Sequence, residues 1–214
     1  MKKLGIIGGA GPLASALFYQ TLVQESYQMK RELPEIILLN YPFKREVLQE
    51  KRLVEELTTC CKELERNNVF KAVLVCNTLH MELKKIKHGM LFFHINECVI
   101  DEIVEKKGKR VLLLATKATC NSTLYYKEGV QFLVPADEEQ SVIESVIDNV
   151  LKGDLKKSDS EVIESLIKRY RDEIDGVVLG CTDLPVVHHH FPIRTNKRVY
   201  DSVKIPAEAI VRLL

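Results

Sequence analysis

Short apolar runs alternate with amphipathic stretches along the whole chain. The runs at residues 3–8, 35–40, 70–76, 91–95, 110–115, 130–134, 176–180 and 198–200 have strand length and are rich in Val, Ile and Leu. The segments between them carry helical periodicity. It is clearest over 46–67, where Leu53, Leu57, Cys60, Cys61 and Leu64 recur at i, i+4, i+7, i+8 and i+11 and so share one face. Strand and helix in alternation predict an α/β protein with parallel sheets and helices on both sides. The periodicity also places Cys60 and Cys61 in a core, where a thiol behaves as a small apolar group. Cys98 reads the same way on the next helix.

The pattern repeats itself. VLVCNTLH at 73–80 and VVLGCTDL at 177–184 each run from an apolar strand into a cysteine and then a threonine, and Cys76 and Cys181 stand 105 positions apart in 214. LGIIGGAG from Leu4 and VLLLATKAT from Val111 have nearly the same offset, each a buried strand entering a loop of small residues. Two similar α/β domains related by a pseudo-twofold axis follow from this. The expected division is residues 1–98 plus 201–214 for the unit carrying Cys76, and 99–200 for the unit carrying Cys181, with the last helix packing back on the first unit. Across such an axis the two cysteines approach one interdomain cleft from opposite sides. A thiol on each face of a single carbon is what inversion of a stereocentre requires.

Composition narrows the partners. Thirty-one basic and thirty acidic residues give a net charge of +1, so no global field recruits nucleic acid or an anionic membrane, and a small molecule is the expected partner. A hydrophobic fraction of 46% supports a sizeable core, and no apolar stretch reaches the roughly 18 residues of a membrane span. Lys2, Lys3 and Ala14-Ser15-Ala16 outline a secretory signal, but Gly8, Gly9, Gly11 and Pro12 break its apolar region. Six cysteines without C-x-x-C spacing fit a reducing compartment, so the expected location is cytoplasmic. The charged stretch at 151–161 reads as a solvated helix junction with Ser158 or Asp159 as the next N-cap.

In parallel sheets, ligands bind beyond the carboxyl ends of the strands. Cys76 and Cys181 both stand there, ahead of expected helix starts whose free N–H groups favour a thiolate. Thr78 and Thr182 add hydroxyls, and Asn77 adds an amide able to hold a carboxylate. Gly8, Gly9 and Gly11 permit close backbone approach to a ligand, with Pro12 suited to a first helical turn. Gly9-x-Gly11-x-x-Ala14 imitates a dinucleotide fingerprint, but the second strand ends at Asn40, where a ribose-binding carboxylate belongs, so no such cofactor is expected. Adjacent residues diverge on a helix, so His188, His189 and His190 read as a solvated helix end and no metal is expected. His80 lies close enough to Cys76 to tune it. Cys120 follows a strand and has no partner motif.

With these residues in hand, the chain resembles the aspartate/glutamate racemase superfamily, in its aspartate racemase branch, over essentially its whole length. The resemblance rests on IGGAGPLAS near the start, CNTLH at 76–80, ATKAT at 115–119, GCTDLP at 180–185 and YDSVKIPAEA near the end. It implies a cofactor-independent amino-acid racemase, homodimeric, with its site in the cleft between domains. Cys76 and Cys181 would be the acid/base pair, one removing the α-proton and the other delivering a proton to the opposite face. Asn77, Thr78, Thr116, Thr119 and Thr182 would hold the α-carboxylate and ammonium beside Gly9 and Ala10. Gln49 and Lys152 would contact the distal part of the substrate.

The chain also departs from that pattern. The family commonly has methionine at Ala10 and glycine at Ala115, and the branch has glutamate at Asp183, where glutamate racemases have histidine. The arginine-bearing loop is shortened, leaving Lys44 and Arg45 as the cations for a side-chain carboxylate. Aspartate or glutamate is the expected substrate. The alternatives are a two-cysteine isomerase of another small acid, such as a maleate-like dicarboxylate or a hydantoin, and a non-catalytic amino-acid-binding module.

Overall fold

The computed structural model describes residues 3–43 and 50–214. Its elements run β1 (Lys3–Gly8), α1 (Pro12–Gln28), β2 (Glu35–Asn40), α2 (Glu50–Arg66), β3 (Lys71–Leu74), α3 (His80–Leu83), β4 (Leu91–Phe93), α4 (Ile95–Glu105), β5 (Arg110–Leu114), α5 (Lys117–Cys120), β6 (Gln131–Leu133), α6 (Asp137–Leu151), α7 (Lys157–Tyr170), β7 (Gly176–Leu179), α8 (Asp183–His190), β8 (Arg198–Asp201) and α9 (Lys204–Leu213). All eight expected strands are present: β1 and β2 match the apolar runs that signalled them, β4 to β7 are a residue or two shorter, β3 is three shorter and β8 is one longer.

Two four-stranded parallel sheets have the same connectivity. Their orders are β2-β1-β3-β4 and β6-β5-β7-β8. In both, the chain starts on an inner strand, winds outward to one side, then crosses back, so a topological switch point lies between β1 and β3 and another between β5 and β7. The four motif loops emerge there. β3 ends at Leu74, two residues before Cys76, although the Val75 amide still donates to the Ile7 carbonyl at 2.8 Å.

Alternation along the strands sorts side chains into layers. Leu4, Ile6, Val73, Leu112, Leu114, Val177 and Leu179 join one central core with Phe18 and Leu22 of α1, Ile143 and Ile147 of α6, and Ile210 of α9. The opposite face of the first sheet, through Ile7, Ala72 and Leu74, packs on Leu53, Leu57, Cys60, Cys61 and Leu64 of α2. Val111, Leu113 and Val178 pack on Val99, Ile100 and Ile103 of α4. Each fully buried Leu or Ile contributes roughly 1.5–3 kcal/mol of transfer free energy, so a core shared by both sheets holds them together strongly. α9 packs on α1 and α4. Residue 98, the expected unit boundary, lies inside α4.

Two local expectations are refined. Pro12 begins α1, where its missing N–H costs nothing. Asp159 is not the N-cap of α7 but its third residue; its carboxylate reaches back to the Lys156 amide at 3.1 Å, the reciprocal half of a capping box.

Candidate active site

Each switch-point loop has its own local logic. After β1, Gly9 sits at φ +107°, and a side chain there would strike the Tyr41 carbonyl, so glycine is required. The Gly9 amide donates to Ser15 Oγ at 3.1 Å, while that hydroxyl donates to the Gly11 carbonyl at 2.9 Å, which pins the loop to the first turn of α1. After β5, Thr116 caps α5 and accepts the Thr119 amide at 3.2 Å.

After β3 come Cys76, half-buried, and Asn77, almost fully buried. Thr78 then crosses to the second half: its hydroxyl lies 3.0 Å from the hydroxyls of both Thr116 and Thr119, and those two are 3.1 Å apart. Three hydroxyls from two loops thus form a closed triangle at the meeting point of the halves. Tyr125, from the loop between α5 and β6, makes a second crossing: its hydroxyl donates to Asn77 Oδ1 at 3.0 Å. Among the described residues, Asn77 Nδ2 is buried without a hydrogen-bond partner.

After β7, Cys181 is 8% exposed and its Sγ lies 3.5 Å from Asp183 Oδ2, with Thr182 buried between them in sequence. Asp183 begins α8 and abuts Gly11 of the first half so closely that a methyl group on Gly11 would overlap its carboxylate. Burial pushes the Tyr125 phenol well above its ordinary value, with smaller contributions from Cys181 and Cys98.

A cavity of about 420 Å³ opens beside Cys76, lined by Ala10, Phe43, Leu53, Thr78, Leu79, Thr116 and Ala118, with Lys117 and Glu144 at its wall. Cys181 does not line it. The Glu144 carboxylate accepts from the Lys117 amide at 2.6 Å and from Gln140 at 3.2 Å.

The remaining expected residues fall as follows. Lys44, Arg45 and Gln49 lie outside the described residues. Lys152 is not brought to the cavity; it is the exposed C-cap of α6, two turns beyond Glu144 along a helix that leads away from the site. His80 meets the Cys76 loop through the loop's backbone. Its Nδ1 donates to the Cys76 carbonyl at 2.7 Å, and burial lowers its pKa to about 4, so it holds the loop as a neutral ring. The helix dipole argument weakens for Cys76, since α3 is a single turn of four residues.

Four cysteines are structural. Burial raises Cys60 to about 12 and Cys61, Cys98 and Cys120 to about 11. The histidine run also has local duties: His188 Nδ1 accepts the Ile193 amide at 3.0 Å and His190 Nδ1 bonds the Val186 carbonyl at 2.9 Å, closing the end of α8. Among the described residues no cluster of His, Cys, Asp or Glu could hold a metal ion, and no helix is long and apolar enough to cross a membrane.

Tyr125, Glu144, Phe43, Leu53 and Leu79 had not been anticipated at the site. Leu53 was visible only as a core position, and Tyr125 belongs to a loop whose sequence carries no periodicity.

A repeated parallel α/β unit with cysteine loops at both switch points is the architecture of the two-domain racemases. The profile of the Asp/Glu/Hydantoin racemase family matches residues 7–210, and the chain belongs to that family. The structure is similar to that of aspartate racemase from Picrophilus torridus, with a TM-score of 0.82 and 26% identity, covering 100% of this chain and 94% of that one. It is also similar to an aspartate racemase homologue from Pyrococcus horikoshii OT3, with a TM-score of 0.79 and 29% identity over 100% of this chain and 99% of the other. In sequence, glutamate racemase of Leptospira borgpetersenii is 27% identical over 93% of this chain and 77% of that protein. Glutamate racemase of Aquifex aeolicus is 27% identical over 60% of this chain and 52% of its own length.

Proposed function

We propose that the protein is a cofactor-independent amino-acid racemase, acting on aspartate or glutamate by two-base proton transfer between Cys76 and Cys181. The observation that carries this reading is the equivalent placement of the two cysteine loops at the switch points of two sheets of identical order, joined through Thr78, Thr116 and Thr119. One cysteine as thiolate takes the α-proton while the other as thiol donates to the opposite face, and the roles exchange for the reverse reaction. Negative charge then builds on the substrate's α-carboxylate. The unpaired Nδ2 of Asn77 and the hydroxyl triangle supply donors for it, with Thr182, Gly9 and Ala10 completing the binding loops. Asp183 holds the Cys181 side. The reading includes Gln49, Lys44 and Arg45 as contacts for the distal substrate, a homodimer in the cytoplasm, and two units of 1–98 with 201–214 and 99–200.

The test is incubation of L-aspartate and L-glutamate in deuterated water. Inverted product carrying α-deuterium is expected; inversion without deuterium, or neither, overturns the reading.

The walls of the cavity favour a second reading. Phe43, Leu53, Leu79 and Ala118 are apolar, and the charges of Lys117 and Glu144 oppose each other, so the apolar wall suits a small acid with a less polar side chain. A substrate screen separates the two, since only the first reading predicts preference for dicarboxylic amino acids.

A further inference from the structure

A second cavity of about 520 Å³ lies at the opposite ends of the helices that leave the site. α1 and α8 both begin at switch-point loops, and the wall of this cavity runs along α1 from Leu17 to Glu25 and Gln28 and along α8 from Pro185 to His188, together with Asp201 and Lys204 from the junction of β8 and α9. Most of its charged groups are satisfied. Asp201 accepts the amides of Val203 at 2.7 Å and Lys204 at 2.8 Å, and the Lys204 ammonium lies 3.7 Å from Glu208. His188 Nδ1 accepts the Ile193 amide, so the ring is held neutral with its proton on Nε2.

Glu25 is the exception. It is 7% exposed, lines the cavity, and among the described residues no hydrogen bond or ion pair reaches its carboxylate. Its carboxylate opens into the cavity from the last turn of α1, where the negative end of the helix dipole opposes its charge and leaves it receptive to a cation. The nearby carbonyl end of α8 adds partial negative charge of the same sign. Burial, and after it the neighbouring Glu25, holds the Glu208 carboxyl above the usual range.

From this geometry we propose that the cavity binds a small organic ammonium ion, its cationic head on Glu25 and its aliphatic stem along Leu17, Pro185 and Val199. The volume exceeds what a bare ion fills, and the cavity offers apolar wall beside the single unmatched charge. The site is separate from Cys76 and Cys181, and its existence does not depend on the racemase reading.

The probe is n-butylammonium chloride, titrated into the full chain by calorimetry, with sodium chloride at equal ionic strength and sodium butyrate as controls. The titration is repeated on a Cys76→Ala/Cys181→Ala background and followed through the His188 ring resonances. Saturable one-to-one binding that shifts His188 is expected for the ammonium alone, and Glu25→Gln should weaken it at least ~10-fold. Glu25→Gln keeps the size and shape of the side chain, and its thermal midpoint verifies folding. Absence of saturation, saturation equal with sodium chloride, a titration that leaves His188 unshifted, or unchanged affinity in Glu25→Gln would each overturn the proposal. Should Glu25→Gln fail to fold, the His188 titration of the unaltered chain decides alone.

Discussion

The Tyr125 hydroxyl donates to Asn77 Oδ1 at 3.0 Å, and both residues are buried. The bond fixes the amide's orientation, holding its oxygen so that the Nδ2 hydrogens remain for another acceptor. Tyr125→Phe deletes that donor and leaves a buried acceptor unsatisfied, a loss of about 1–3 kcal/mol. On the racemase reading the damage falls on carboxylate binding: KM for the amino acid should rise ~5- to 30-fold with a smaller change in kcat. Steady-state kinetics followed by circular dichroism measures the split. A fall in kcat alone would mean that Tyr125 does not act through Asn77.

The two cysteines make a sharper prediction. Cys76→Ala and Cys181→Ala should each lower racemisation at least ~10²-fold, the low end for removal of a general acid or base. Each variant keeps one base, so it should still exchange the α-hydrogen of one enantiomer with deuterated water without inverting it. Mass spectrometry of recovered L- and D-substrate reads this directly. Exchange of both enantiomers by one variant would rule out opposed single-face bases.

Gly11 and Asp183 bring the halves together at one point. A methyl group on Gly11 would overlap the Asp183 carboxylate, whose other oxygen contacts the Cys181 sulfur. Gly11→Ala should therefore push Asp183 away and disturb Cys181, lowering kcat by ~10-fold or more, while Gly89→Ala, whose added methyl group would meet only the Glu65 carboxylate at 3.7 Å, should not. Parallel kinetics on the two variants, each checked for its melting temperature, tests this.

Much of the architecture was legible because buried parallel strands are apolar and the chain repeats them. Cys60, Cys61 and Leu64 announced their face of α2 by spacing alone, and Pro12 announced the start of α1. Pairings across the halves were not legible: Thr78 with Thr116 and Thr119, or Gly11 with Asp183, depend on how two sheets dock, which local periodicity does not encode. Tyr125 lies in a loop held by tertiary contacts. Where Lys152 falls depends on the direction of α6, and the setting of Glu25 depends on how α1, α8 and the start of α9 meet, neither of which local sequence encodes.

Thiol reactivity should separate Cys76 from the four structural cysteines. Cys60, Cys61, Cys98 and Cys120 are pushed up to about 11–12 by burial and stay protonated near neutrality, so iodoacetamide should modify them only on unfolding. Cys76 lines an open cavity and should react first, with substrate slowing it. Peptide mapping after brief labelling at pH 8 checks the order. Rapid modification of Cys98 or Cys120 before Cys76 would contradict it.

His80 predicts an acid-sensitive fold. Its folded-state pKa of about 4 lies below the ordinary value of 6.5, chiefly through burial, so the unfolded chain binds the proton more readily. Stability from this group is complete above pH 6.5 and is lost as pH falls toward 4, where the loss levels off at about 3 kcal/mol. His80→Gln cannot titrate, so its stability should fall less steeply over that window, even though it is less stable at pH 7 for want of the bond to the Cys76 carbonyl. Urea midpoints measured from pH 7 to 4 on both proteins give the difference in slope. Parallel slopes would show that another group governs the acid transition.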